Sequence, residues 1–178
     1  MRRRSVVKSL LFFTGGVMIL PSCITEERKA SVLLNNLSVS EDQEKLLAEV
    51  AETIIPQTDT PGAKQMGLHL FVLKMLDDCQ EEKEQKAFMN GLKQFEELTQ
   101  KQFGASFTAC NPKQRQEILT KLEARNAPED VLAFYKIMKD QTIKGYLNSK
   151  VVMTELRVYE LIPARYNGYF PANKALVS

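Results

Sequence analysis

The chain has no tryptophan, one histidine (His69) and three cysteines among 178 residues, and its most apolar stretch, Ser9 to Leu20, is only about a dozen residues long. Each scarcity closes off some chemistry. One imidazole cannot make a bis-histidine haem site, a c-type haem needs Cys-x-x-Cys-His, and an iron–sulfur cluster needs about four thiolates. The sequence offers none of these. GxGxxG, GxxxxGKS, GxSxG and HExxH are also missing, so the usual nucleotide, hydrolase and zinc-protease signatures do not apply. The adjacent acids Asp77-Asp78 and Glu96-Glu97 fall on helices, where successive side chains diverge by about 100°, and they read as solvated faces rather than catalytic pairs. His69 reads as a structural histidine, satisfied or exposed, because no second ligand accompanies it. No catalytic, cofactor-binding or metal-binding residue is expected in this chain.

Charge is scarce in net terms. The formal charge is +2, but residues 1–22 hold four cations and no acid, so the remainder carries 20 cations against 22 acids, a net of −2. A mildly acidic body has no electrostatic footprint for nucleic acid.

The N-terminus is the most specific feature present. Arg2-Arg3-Arg4-Ser5-Val6-Val7-Lys8 is a basic segment followed by the short apolar run, which Gly15-Gly16 interrupts. A spanning helix needs about 20 apolar residues, so the run suits an export signal better than a membrane anchor. Arg3 and Arg4 look like the pair of a twin-arginine signal. Leu20-Pro21-Ser22-Cys23 resembles a lipobox, with Cys23 as the acylated residue. The expected protein is an exported bacterial lipoprotein, anchored by lipid and facing the periplasm. Without Cys23, Cys79 and Cys110 remain. In an oxidising compartment they either form a disulfide or sit apart as small buried hydrophobes, and sequence leaves both readings open.

Residues 1–22 are thus read as signal, 23–39 as a tether and 40–178 as one helical domain. Ser40 and Gln43 form a capping box before an amphipathic helix over 41–55, which Pro56 stops. Gln57 to Ala63 is an ordered turn. A second helix, about Lys64 to Cys79, is apolar on nearly all faces and is expected to be central. A third ends near Lys101. A fourth starts at Asn111-Pro112, a fifth runs from Pro128 to about Gly145, and Val152, Leu156 and Tyr159 support a short sixth. No alternating strand pattern appears, so the class is all-α: a compact bundle of five to six helices with an irregular C-terminal tail. The tail aromatics, with Arg165, either anchor a partner or pack back on the bundle.

One mismatch stands out. Twin-arginine export carries folded proteins and is useful chiefly where a cofactor is inserted first, yet this body shows no cofactor motif. A chain that carries the signal on behalf of a cofactor-bearing partner removes the mismatch.

The stretch from Glu52 to Gly67, ETIIPQTDTPGAKQMG, joins the first two helices. Glu52-Thr53-Ile54-Ile55-Pro56, then Thr58-Asp59-Thr60-Pro61-Gly62-Ala63 and Gly67, resemble the signature of the gluconate 2-dehydrogenase subunit 3 family. So do the helix from Phe71 to Asp78, Gly145-Tyr146 with Ser149, and Tyr159, Pro163, Tyr166 and Gly168. Together they cover most of residues 44–170. The resemblance implies a non-catalytic small subunit of a membrane-associated sugar, sugar-acid or alcohol dehydrogenase. Its large partner would be an FAD-containing flavoprotein of the glucose–methanol–choline type, with a cytochrome c taking the electrons in many such complexes. The small subunit would escort the flavoprotein and supply its export signal. A free-standing helical lipoprotein with a structural or binding role is the alternative. Within the motif, Thr58, Asp59 and Thr60 either cap the second helix, the preferred reading, or touch the partner, and Pro56 and Pro61-Gly62 hold the connection rigid.

Overall fold

The computed structural model describes residues 30–157. Within them five α-helices form: α1 (Glu41–Ile54), α2 (Leu68–Cys79), α3 (Glu82–Phe103), α4 (Pro112–Glu123) and α5 (Glu129–Leu147). A 3-10 turn (Phe107–Ala109) precedes α4, and a π-helical turn (Val152–Leu156) follows α5. The all-α expectation holds: no β-strand forms among the described residues. Arg3, Arg4, Cys23, Tyr159, Arg165 and Tyr166, singled out above, lie outside the described residues.

The helix ends follow their local chemistry. The Ser40 side chain accepts from the Gln43 N–H while the Gln43 side chain accepts from the Ser40 N–H, completing the capping box that opens α1. Asn111 and Gln114 repeat the device at α4, with Pro112 in the first helical position. At the other end of α4 the chain turns through Arg125, which has φ 56°. Its N–H reaches Leu122 O, and the Asn126 N–H reaches Lys121 O. Glycine normally takes this left-handed position, because a Cβ there is strained. Arg125→Gly is therefore expected to raise stability by up to about 1 kcal/mol, read as a higher midpoint in urea.

The hub of the bundle is α5, which packs on α1, α2, α3 and α4. Phe134 of α5 meets Phe88 and Phe95 of α3 at ring-centroid distances of 5.0 and 5.5 Å, and Phe95 meets Phe107 at 5.1 Å. All four rings are fully buried, and burial of each contributes about 1.5–3 kcal/mol. Helix α2 is less central than its composition suggests. It begins at Leu68, four residues later than expected, and one side is open, with Phe71 37% exposed.

Residues 30–39, read from sequence as part of a tether, are fastened to the domain. The Asp77 carboxylate accepts the backbone N–H groups of Asn35, Asn36 and Leu37 at 2.8, 2.7 and 2.9 Å. The Asn36 side chain donates back to Asp77 O at 2.9 Å, and Val39 is buried in the core. Asp77 is consequently not on a solvated face but 2% exposed, whereas its neighbour Asp78 is at the surface. The bridge allowed for Cys79 and Cys110 is not formed. Cys79 ends α2 as an exposed free thiol, while Cys110 is buried just after the 3-10 turn.

Candidate functional site

The joint between α1 and α2 is a closed, braced loop. The Ala63 N–H reaches Ile55 O at 2.9 Å, closing the loop at its base, and Ala63 itself is fully buried. Glu52, in the last turn of α1, spans the same gap with its carboxylate. One oxygen accepts the Gln57 N–H at 3.0 Å and the other the Lys64 N–H at 2.8 Å. These are the first and last polar stretches of the loop, so one side chain holds both arms. Gly62 lies against that carboxylate. A Cβ there would stand 2.6 Å from Glu52 Oε2 and 2.7 Å from the Gln57 nitrogen, so only glycine permits the approach.

A second brace comes from α5. Thr60 Oγ1 and the Tyr146 hydroxyl are 3.0 Å apart, linking the loop to a residue 86 positions away. Tyr146 follows Gly145, which is buried where α2 crosses α5. A Cβ on Gly145 would meet the Phe71 ring at 2.8 Å and Leu68 at 3.4 Å. The sequence-predicted residues Thr60, Pro61, Gly62, Gly145 and Tyr146 are thus brought together. Ser149, further along, does something more local: its hydroxyl accepts the Val152 N–H at 3.3 Å and starts the final turn.

Pro56, Gln57, Thr58 and Asp59 form the exposed tip. The Thr58 N–H to Thr60 O bond, 3.1 Å, tightens it. The expectation that Thr58, Asp59 or Thr60 caps the second helix is corrected here. Gly67, with φ 65°, occupies the cap position, and no side chain caps the helix. The physical reason is the additional turn from Ala63 to Gly67, which displaces the helix start beyond the reach of Asp59. The Asp59 carboxylate has no hydrogen-bond or ion-pair partner among the described residues. Asp59→Ala is accordingly expected to leave stability within about 0.5 kcal/mol of the unaltered chain in chemical denaturation. A loss of about 1 kcal/mol would restore the capping role.

A groove of about 810 Å³ runs along α1, lined among others by Glu44, Glu49, Lys64, His69 and Glu96. Its polar groups are largely committed. Glu44 accepts the Ser31 N–H and hydroxyl at 2.5 and 2.6 Å, and Glu49 is held by Lys64 and Arg115. Burial pushes the Glu49 carboxyl up, but the two cations outweigh it and hold it below its ordinary value. Burial together with Asp42 pushes the Glu96 carboxyl above its ordinary value. His69 is neither exposed nor satisfied. It is 8% exposed, its Nδ1 has no partner among the described residues, and its Nε2 lies 3.9 Å from Glu44 Oε1. Burial holds the imidazole below its ordinary pKa, Glu44 acts upward, and Lys64 adds to the lowering, so His69 is neutral at pH 7. Among the described residues no three His, Cys, Asp or Glu side chains are grouped to hold a metal. No helix among them is long and apolar enough to cross a membrane.

Sequence reasoning missed Glu52 and Asp77, the two carboxylates that organise the loop and the N-terminal segment. A faint signal existed for both. Each is an acid in the last turn of a helix, where the macrodipole disfavours negative charge unless backbone N–H groups compensate.

The class defined by these features is an all-helical domain that fixes a loop rigidly and presents its tip to solvent. The family model for gluconate 2-dehydrogenase subunit 3 matches residues 41–164, and the chain belongs to that family. Membership makes it an accessory-type subunit of an oxidoreductase complex that includes a larger dehydrogenase subunit. Comparison with curated proteins and with solved structures returned no match.

Proposed function

We propose that the chain is a non-catalytic escort. It binds a flavoprotein dehydrogenase of the glucose–methanol–choline type, stabilises it, and carries it through the twin-arginine route with Arg3 and Arg4. FAD belongs to the large subunit, a cytochrome c receives the electrons, and acylation at Cys23 holds the complex at the periplasmic side of a membrane. The observation that carries this reading is the subunit-family match across residues 41–164. The signal-like N-terminus supports it, because a folded, cofactor-loaded partner explains the choice of export route.

The test is a pull-down of the full chain from detergent-solubilised membranes of the producing bacterium, with a flavin absorbance scan and mass identification of its companion. A stoichiometric flavoprotein is expected. When Arg3 and Arg4 are both changed to Lys, that flavoprotein should stay in the cytoplasm. A monomeric, colourless chain, or a flavoprotein exported normally in the double variant, rules the escort role out.

A further inference from the structure

The geometry points to the Pro56–Asp59 tip, together with the adjoining Tyr146 and Phe71, as the surface that docks the large dehydrogenase subunit, with Asp59 meeting an arginine or lysine of that subunit. This rests on the escort reading and specifies it.

The loop carries more constraint than the fold of this chain uses. Its base is closed by the Ala63–Ile55 bond, both arms are held by Glu52, and its side is tied to α5 through Thr60 and Tyr146. Yet the four tip residues are exposed, and the Asp59 carboxylate engages nothing among the described residues. A surface loop that only connects two helices is ordinarily free to vary and move, whereas binding gains from a tip already fixed in its bound shape. An unpaired acid on such a tip calls for a cationic partner by charge complementarity. The nearest cation in sequence, Lys64, is already paired with Glu49 at 2.5 Å.

The same surface carries the aromatic that interface centres favour. Phe71 is 37% exposed although it packs at Gly145, one residue before the Tyr146 that holds the loop. A control lies at the far end of α2: Lys83, exposed in the first turn of α3, is separated from the joint by the length of α2, about 18 Å at 1.5 Å per residue.

The experiment uses the flavoprotein that co-purifies with the unaltered full-length chain, isolated and titrated with detergent-solubilised variants. Asp59→Arg and Phe71→Ser are each expected to weaken binding by about tenfold or more. Asp59→Arg should leave the melting temperature within about 2 °C, so lost binding cannot be lost folding. Lys83→Ser should bind like the unaltered chain. Unchanged binding by Asp59→Arg, or a loss confined to Lys83→Ser, overturns the docking surface while leaving the escort role intact. An unaltered chain that captures no flavoprotein overturns both.

Discussion

Replacing Asp77 with alanine is expected to destabilise the domain by about 3 kcal/mol and to release residues 35–37. A buried carboxylate that accepts three backbone N–H groups makes charge-assisted bonds, and removing it strands those donors. Asn35 and Asn36 are at the surface, so water recovers part of the loss, and the effect stays well short of the sum of three such bonds. Leu37 and Val39 move with the segment, because the Asp77 carboxylate is its firmest tie to α2. Amide hydrogen exchange should show residues 35–37 losing protection in Asp77→Ala, ahead of the core helices. Retained protection there would mean that apolar packing, not the carboxylate, holds the segment. Asp77→Asn should fall between the two, since it keeps one acceptor oxygen but turns an N–H toward other donors.

The same residue sets a pH dependence with a definite sign. Burial pushes the Asp77 carboxyl up, but the N–H groups of Asn35, Asn36 and Leu37 outweigh it, so the folded-state pKa lies below the ordinary 3.8. A depressed carboxylate stabilises the fold at pH values above 3.8 and ceases to do so as pH falls through the folded-state value. The stability difference between the unaltered chain and Asp77→Ala should be constant near neutrality and narrow in acid. A gap that widens in acid would reverse the assignment.

The helices were legible because their signals are local. Apolar spacing, the Ser40–Gln43 capping box and Pro56 place α1 within a residue of where it is found, and Asn111-Pro112 places the start of α4. The start of α2 was not legible: Lys64 to Met66 would continue a helix by composition, and only Glu52 and Ala63, bonding across the loop, divert the backbone. The same limit applies to Asp77. Its role depends on a segment about 40 positions earlier, and no local pattern reports so distant a donor. For the motif, spacing identified Pro56 to Gly62 as an ordered turn, and family resemblance gave it importance. That its tip faces outward, with Asp59 uncommitted, is a tertiary fact. The centrality of α5 was hidden for a related reason, since its apolar stripe is no stronger than that of α2. What brings α5 inward is the absence of side chains on the helices it crosses, at Gly91 of α3 and at its own Gly145.

Gly91 provides the second large effect, and here local and tertiary arguments disagree in sign. In an isolated helix, Gly91→Ala would be stabilising by about 1 kcal/mol. In the bundle, a Cβ at Gly91 runs into the carbonyl oxygen of Asp130 and stands 2.7 Å from Phe134 Cβ. Neither neighbour is the far end of a flexible chain. Asp130 is in the first turn of α5, and its carboxylate is also held by Asn90 and Gln94 of α3 at 2.8 and 2.7 Å, so the start of α5 is stapled against Gly91 from both sides. Phe134 is fully buried against Phe88 and Phe95 and cannot turn away without opening the core. Relief therefore requires α3 and α5 to separate, which loosens the aromatic cluster. Overpacking of this kind costs about 1–3 kcal/mol, and with backbone as the obstacle the upper part of that range should exceed the propensity gain. Gly91→Ala is expected to lose about 2 kcal/mol net, lowering the urea midpoint, and Gly91→Val more. A Gly91→Ala variant more stable than the unaltered chain would show that α5 can shift away at little cost, and that the close crossing is not what fixes it at the centre of the bundle.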